Sequence, residues 1–185
     1  MTEPDGYPSE LESHVTLENH RHLHIRPLRP CEVGPIRDLY ARLSPRTRYQ
    51  RFFSPMPVLP DSVLRLLACI DYRTGVALVA EDADAARATV VAVGSVAAIS
   101  ADSAEIAVVV QDDWQQQGVG TVLIAKLIEA AEDRGFHRFV VNMLAENTVI
   151  RKLLHRFGQV IASTTRYGVS EVAFVRRDAE EDAHA

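Results

Sequence analysis

Gln115-Gln116-Gln117-Gly118-Val119-Gly120 stands between an apolar run at 104–110 (Ala-Glu-Ile-Ala-Val-Val-Val) and a long amphipathic stretch from 117 to 134. A strand that turns through Gly-x-Gly into a helix leaves the first N–H groups of that helix without acceptors. The helix dipole adds partial positive charge at the same place. Glycine lets backbone approach an anion with no Cβ in the way, and the polar Gln115 helps to shape the loop. The stretch therefore predicts a cradle for a pyrophosphate, and with it a phosphate-bearing cofactor. A triphosphate-hydrolysing loop is excluded, because no Lys-Ser or Lys-Thr follows either glycine. A dinucleotide fingerprint fits poorly too: Leu123 follows where a small residue is needed, and the motif lies mid-chain instead of in an opening strand–helix–strand unit.

Reading outward, 104–110 is a buried strand and 112–114 the turn into the main helix, whose inner stripe is Val119, Val122, Leu123, Leu127 and Ala130. After Gly135 comes a strand at 139–144. Asn147 then opens a second helix through Ile150, Leu153, Leu154 and Phe157, closed by Gly158, and strands at 160–165 and 169–176 finish the chain. Upstream, 22–26 alternates as a strand, and Val33, Ile36, Leu39, Tyr40 and Leu43 mark a helix over 30–43. Ser44-Pro45 starts a helix to Phe53, Pro55, Pro57 and Pro60 break it, and Asp61 opens another to Ile70. Runs at 76–81, 89–100 and 105–110 read as an antiparallel meander with turns at 83–88 and 101–103. Residues 1–20 are polar and aperiodic and read as a mobile tail, 21–177 as one domain, and 178–185 as an acidic tail.

Composition narrows the class. At 185 residues and 47% apolar, the chain can bury one sizeable core without staples. Cys31 and Cys69 lack metal-type spacing and read as reduced thiols of a cytoplasmic protein. No apolar run approaches the roughly 20 residues that span a bilayer, and no basic-then-apolar start marks a secretory signal, so a soluble, cytoplasmic protein without a membrane partner is expected. A net charge of −5 argues against a nucleic-acid partner and has the sign that attracts an amine. His14, His20, His22 and His24 have no Cys or carboxylate to complete a ligand set, so no metal is expected. Arg46, Arg48 and Arg51, around Tyr49 and Phe52, form either a solvated helix face or a lid.

The pattern Gln115-x-x-Gly118-x-Gly120 after a strand, followed by a helix, a strand and the helix opened by Asn147, resembles the cofactor-binding half of the GNAT superfamily of N-acetyltransferases. The resemblance spans roughly 23–176. It implies an α/β fold of the α+β type: a central mixed, mostly antiparallel, twisted sheet of about six to seven strands flanked by about four to five helices. It implies acetyl-CoA as cosubstrate and no metal. In that frame Gln115, Gln116, Gln117, Gly118, Val119, Gly120 and Thr121 hold the pyrophosphate. Backbone amides of Val108 and Val110 pair with the pantetheine arm, which imitates a strand. Asn147 is expected to cap its helix and also to touch the CoA arm, and Arg151, one turn on, to meet the adenosine phosphate.

Acetyl transfer to an amine needs a proton acceptor, since an aliphatic amine of pKa near ~10.4 is almost wholly protonated at neutral pH. Glu105 is the candidate: a carboxylate among aliphatic neighbours on the strand that leads to the loop, where partial burial favours its acting as a base. The resemblance agrees, because GNAT protein-lysine acetyltransferases place a general-base glutamate at the matching point of an Ala-Glu-aliphatic strand. The plainer reading is an edge carboxylate in solvent. Asp102, Asp112 and Asp113 fall in turns, where Asp caps or solvates backbone. The acid is left unassigned. The tyrosine that many GNAT enzymes carry seven residues after the helix-opening Asn is Leu154 here, His155 points about 100° away, and a thiolate of pKa near ~8.5 leaves without help. The stretch 43–54, with Asp71-Tyr72 and Ala77-Leu78-Val79-Ala80, resembles bacterial protein-lysine acetyltransferases, which modify acyl-CoA synthetases and other enzymes. A protein lysine is thus the expected acceptor. The alternatives are a small amine, such as a polyamine or an aminoglycoside, and a non-catalytic acyl-CoA sensor. Oligomeric state stays open. Some of those enzymes carry a nucleotide-binding domain, for which this length leaves no room, so regulation by that route is not expected.

Overall fold

The computed structural model describes residues 6–177. Among them, eight strands form one sheet in the order β1-β2-β3-β4-β5-β6-β8-β7: β1 (Ser13–Thr16), β2 (His22–Pro27), β3 (Gly75–Asp82), β4 (Thr89–Ala98), β5 (Ser103–Val110), β6 (Arg138–Leu144), β7 (Gly158–Arg166) and β8 (Val169–Arg176). Five helices flank it: α1 (Val33–Arg42), α2 (Pro45–Phe52), α3 (Asp61–Ala68), α4 (Val119–Glu132) and α5 (Thr148–Phe157). Only β5 and β6 run parallel, because α4 carries the chain over the sheet between them.

The apolar pattern explains the layers. In β3, alternate side chains enter two different cores: Val76, Leu78 and Ala80 join the one under α4 and α5, while Ala77 and Val79 join the one under α1, α2 and α3. A strand buried on both faces reads as a continuous apolar run, as 76–80 does. Gly94 on β4 is where α4 comes closest, since a Cβ there would stand 2.8 Å from Leu127 Cδ1 and 3.2 Å from Val108 Cγ2. Leu127 is fully buried and has nowhere to retreat. Gly94→Ala should therefore destabilise the fold by about 1–3 kcal/mol through overpacking. A urea unfolding midpoint equal to that of the wild type would refute this.

The sheet has one strand more than the six to seven expected, because residues assigned to a mobile tail fold. Within 6–20, Ser9–Leu11 makes a 3-10 turn, β1 pairs with β2 from Ser13↔Ile25 to Thr16↔His22, and Tyr7, Leu11 and Leu17 are buried. The anchors are single apolar residues four to six positions apart, too sparse to show a period. A second correction concerns the cysteines. Cys31, in the turn before α1, and Cys69, at the end of α3, are joined as a disulfide, their Cα atoms 4.3 Å apart across 38 residues. The packing of α1 against α3 brings them together, which no local spacing foretells. The acidic tail at 178–185 lies outside the described residues. No helix among the described residues is long and apolar enough to cross a membrane.

Candidate active site

After β5 the chain makes a 3-10 turn at Asp112–Trp114 and then two left-handed residues, Gln116 (φ 58°) and Gly118 (φ 90°), before α4 begins. The backbone N–H groups of Gln116, Gln117, Gly118, Val119, Gly120 and Thr121 have no acceptor among the described residues. Successive N–H groups around left-handed residues, at the N-terminus of a 14-residue helix, form an anion-binding concavity. These residues fit a diphosphate. The side chains of the loop have other work. Gln115 Nε2 donates to Val110 O (3.0 Å) and Thr47 Oγ1 (3.1 Å), Gln117 Nε2 donates to Asp113 O (2.7 Å), and Val119 points into the core. Of the loop residues expected to hold pyrophosphate, Gln117 and Val119 thus have only backbone to offer, while the Gln115 N–H already donates to Asp112 O (3.2 Å).

Beside this nest the sheet opens. β5 pairs with β6 only from Ser103↔Arg138 to Glu105↔Val140, and beyond that the two strands part. Gln111 N donates to Val91 O, toward β4 (2.8 Å). Alternation along the strand turns the N–H groups of Val108 and Val110 the other way, to the edge β6 has left. A strand-like ligand could add there. Across the opening Asn147 caps α5, its Oδ1 accepting from Ile150 N (3.2 Å) with Nδ2 left over. Arg151, expected at the adenosine phosphate, is exposed, with NH2 donating to Ala145 O (2.9 Å).

Glu105 lies on the face of β5 opposite α4, in a row with Ala107 and Val109, while Ala104 and Ile106 point into the α4 core. It is half-buried, and its Oε1 accepts from Asn142 Nδ2 on β6 (3.1 Å). The edge reading in open solvent does not describe it. Next to it, Ala107 and Val109 line a pocket with Ser95, Tyr40, Phe52 and Arg51. Burial pushes the Arg51 guanidinium down from its ordinary value, and the Glu105 carboxylate opposes that shift. Arg51 has no hydrogen bond or ion pair among the described residues and lies 5.0 Å from the Phe52 ring. Of the three arginines read as either a solvated face or a lid, Arg46 is exposed, Arg48 is held by Pro57 O (2.8 Å) and Ala41 O (3.1 Å), and Arg51 turns to the pocket. Sequence reasoning missed Asn142 altogether. Its signal was a polar residue inside the apolar run Phe139-Val140-Val141-Asn142-Met143-Leu144. Leu154 is 1% exposed, in the core, and His155 faces solvent.

The two halves of the site are tied together by Asp112. Its carboxylate accepts from Ser44 Oγ (2.6 Å), Ser44 N (2.9 Å) and Thr47 Oγ1 (2.8 Å), fastening the start of α2 to the loop before α4. Ser44 also caps α2, Oγ accepting from Thr47 N (3.2 Å). Partial burial pushes the Asp112 carboxyl up, but the hydrogen bonds from Ser44 and Thr47 together outweigh it and hold it below the usual carboxylate range. A depressed carboxyl contributes stability that is present above its unfolded pKa, about 3.9, and lost as pH falls through the lower folded value. Asp112→Asn should therefore lower the urea midpoint at neutral pH, with the gap to wild type closing in acid. A gap that widens as pH falls would refute the assignment. Among the described residues, no three His, Cys, Asp or Glu side chains gather as a metal ion would require.

Comparison with known proteins shows the family and the fold. The profile of the Acetyltransferase (GNAT) family matches residues 37–159. The chain is 33% identical over 146 residues to acetyltransferase PA5475 of Pseudomonas aeruginosa, covering 78% of each chain. It is 39% identical over 61 residues to acetyltransferase Pat of Mycolicibacterium smegmatis, which is 33% of this chain and 18% of that one. Among solved structures, the GNAT domain of S. lividans PAT superposes with a TM-score of 0.81 at 25% identity, covering 91% of this chain and 99% of that one. yncA of Salmonella typhimurium, solved with its cofactor acetyl-CoA, shares the fold at a TM-score of 0.65 and 18% identity, covering 84% and 95% of the two chains.

Proposed function

Because the chain belongs to the acetyltransferase (GNAT) family, we propose that it transfers an acetyl group from acetyl-CoA to the side-chain amine of a protein lysine, within a ternary complex. The observation that carries the reading is the parting of β5 and β6 beside six unpaired loop N–H groups, with Glu105 on the far face. The diphosphate would sit on the N–H groups of 116–121, and the pantetheine arm along the Val108–Val110 edge, with Asn147 opposite. That leaves the thioester between the strands. The neutral amine attacks the thioester carbonyl carbon; a C–N bond forms, the C–S bond breaks, and the CoA thiolate leaves. Glu105 receives the amine proton, directly or through water, held in place by Asn142. The thiolate takes a proton from water. The N–H groups on the open β5 edge can stabilise the oxyanion.

A protein lysine is favoured over a polyamine or an aminoglycoside by the pocket beside Glu105. Polycations need carboxylates around them, and this pocket is lined by Ile36, Leu39, Val93 and other apolar residues with Arg51 as its charge. The likeness to the GNAT domain of S. lividans PAT supports the same class, with an acyl-CoA synthetase as one candidate protein. A cytoplasmic setting belongs to this reading. The Cys31–Cys69 disulfide argues against it, since such bonds are uncommon there, and thiol titration of freshly lysed cells tests that part. The function itself is tested by incubating the protein with acetyl-CoA and a panel of amines and lysine-bearing proteins, reading CoA thiol release and acetyl-lysine by mass spectrometry. Transfer to protein lysines supports the proposal. Preference for a small amine moves the substrate class, and tight acetyl-CoA binding with no turnover on any acceptor favours a sensor.

A further inference from the structure

The diphosphate nest is held from outside by the turn between β1 and β2, a segment that lies before the residues matched by the family profile. Asn19 Nδ2 donates to Gln117 Oε1 (2.8 Å), and Arg21 NH1 donates to the same oxygen (3.2 Å) and to Asp113 O (3.4 Å). Gln117 in turn donates through Nε2 to Asp113 O (2.7 Å), so the turn, the loop and its first residues form one network. The Arg21 guanidinium lies 3.3 Å over the ring of Trp114, itself buried, and Leu17 comes within 3.9 Å of where a Cβ of Gly118 would be. Asn19 Oδ1 accepts from Arg21 N (3.2 Å), which sets the direction in which Arg21 leaves the turn.

The loop also has a charge problem. Between 111 and 121 it carries Asp112 and Asp113 and no lysine or arginine, although its proposed ligand is a polyanion. Arg21 places one positive charge within hydrogen-bond distance of that loop, well inside a Debye length of about 8 Å at physiological salt. A nest of neutral N–H groups binds an anion well only if the groups already converge, because ordering them on binding would cost affinity.

We propose that Arg21, with Asn19, is a positioning residue for the cofactor's diphosphate: through Gln117, Asp113 and Trp114 it holds the loop in its anion-binding shape and offsets the two loop carboxylates. The inference rests on the acetyl-CoA reading above. It assigns part of the cofactor site to the N-terminal hairpin, whose residues touch no reacting atom.

The test uses the full chain and three variants, Arg21→Gln, Arg21→Lys and Asn19→Ala. Steady-state kinetics are compared with acetyl-CoA and with acetyl-pantetheine, a thioester that lacks the diphosphate. Arg21→Gln is expected to raise KM and Kd for acetyl-CoA about 10-fold, the scale of losing charge-assisted hydrogen bonds, with kcat within about twofold. Asn19→Ala, at an exposed position, should show a smaller rise of the same kind. Arg21→Lys should keep the salt dependence of acetyl-CoA binding while losing the stack on Trp114. With acetyl-pantetheine all three should match wild type in kcat/KM. A generally damaged fold would instead lower turnover of both thioesters equally, and that result overturns the proposal, as does an unchanged KM for acetyl-CoA in Arg21→Gln. A wild type that fails to bind acetyl-CoA at all overturns the cofactor reading and this inference with it, whereas a wild type that binds while the variants bind equally well overturns the inference alone.

Discussion

Glu105→Gln should lower acetyl transfer by about 10²-fold or more at pH 7, with little change in KM for acetyl-CoA, and the deficit should shrink as the pH is raised toward 9. The direction follows from the acceptor. An amine of pKa near ~10.4 supplies more of its own neutral form at each step up in pH, so less is gained from a group that takes its proton. The size follows from what the substitution removes: Gln keeps the shape and can still pair with Asn142, but it cannot accept a full proton. Rates with the best acceptor across pH 6 to 9, together with unfolding curves showing that the variant is folded, make the comparison. A deficit that stays constant across that range would assign Glu105 to binding or to charge, and no deficit at all would remove it from the mechanism.

The largest effect on stability is expected far from that chemistry, at Arg26. The residue, on β2, is only 8% exposed and its guanidinium is fully engaged: Nε donates to Glu81 Oε1 (3.0 Å), NH1 to Glu32 Oε2 (3.0 Å) and Pro27 O (3.1 Å), and NH2 to Glu32 Oε1 (3.0 Å). His24 Nδ1 approaches the other oxygen of Glu81, which is likewise 8% exposed (3.2 Å). Desolvation pushes the Glu32 carboxyl up, yet its hydrogen bonds to Arg26 and to Arg29 N–H win and hold it below the usual range. Breaking such a cluster from one side leaves a buried charge uncompensated. Arg26→Ala should cost about 3–5 kcal/mol in urea unfolding at neutral pH. Arg26→Met with Glu81→Leu should recover part of that, because it removes the more buried of the two carboxylates that Arg26 pairs with and leaves only the more exposed Glu32 without its partner. A loss below about 1 kcal/mol for the single variant would mean that water reaches Glu81 freely. Since the Glu32 carboxyl is depressed in the folded state, its share of the stability is present above its unfolded pKa and should fade as pH drops through the lower folded value.

Much of the site was legible because it is written in consecutive residues. A Gly-x-Gly turn between a strand and a helix has few backbone solutions, so the nest could be read at Gln115–Thr121. The caps at Ser44 and Asn147 were readable for the same reason. The side-chain contacts there were not readable: Gln115 donates to Thr47, Gln117 to Asp113 O and Arg151 to Ala145 O. The strand boundaries moved by a residue or two, as at β5, where Ser103 belongs to the strand and not to the turn. The surroundings of Glu105 were not legible, because Asn142 lies 37 positions away on a neighbouring strand and Arg51 reaches the same pocket from a helix 54 positions upstream.

Legible in the sequence by itself were the resemblance to the family and, through it, a mixed and mostly antiparallel sheet, together with the expected anion-binding loop and the strand that carries the candidate base. The loop and the strand rest on local periodicity or on the conformations that a short run permits, and the sheet on what the resemblance implies. Tertiary structure decided what surrounds that base, that residues 6–20 join the sheet, that Cys31 meets Cys69, and that Arg21 braces a loop more than 90 residues away. Those outcomes depend on which strand neighbours which and on how helices settle against the two faces. They are set by burial summed over the whole core, a quantity that no short stretch of sequence contains.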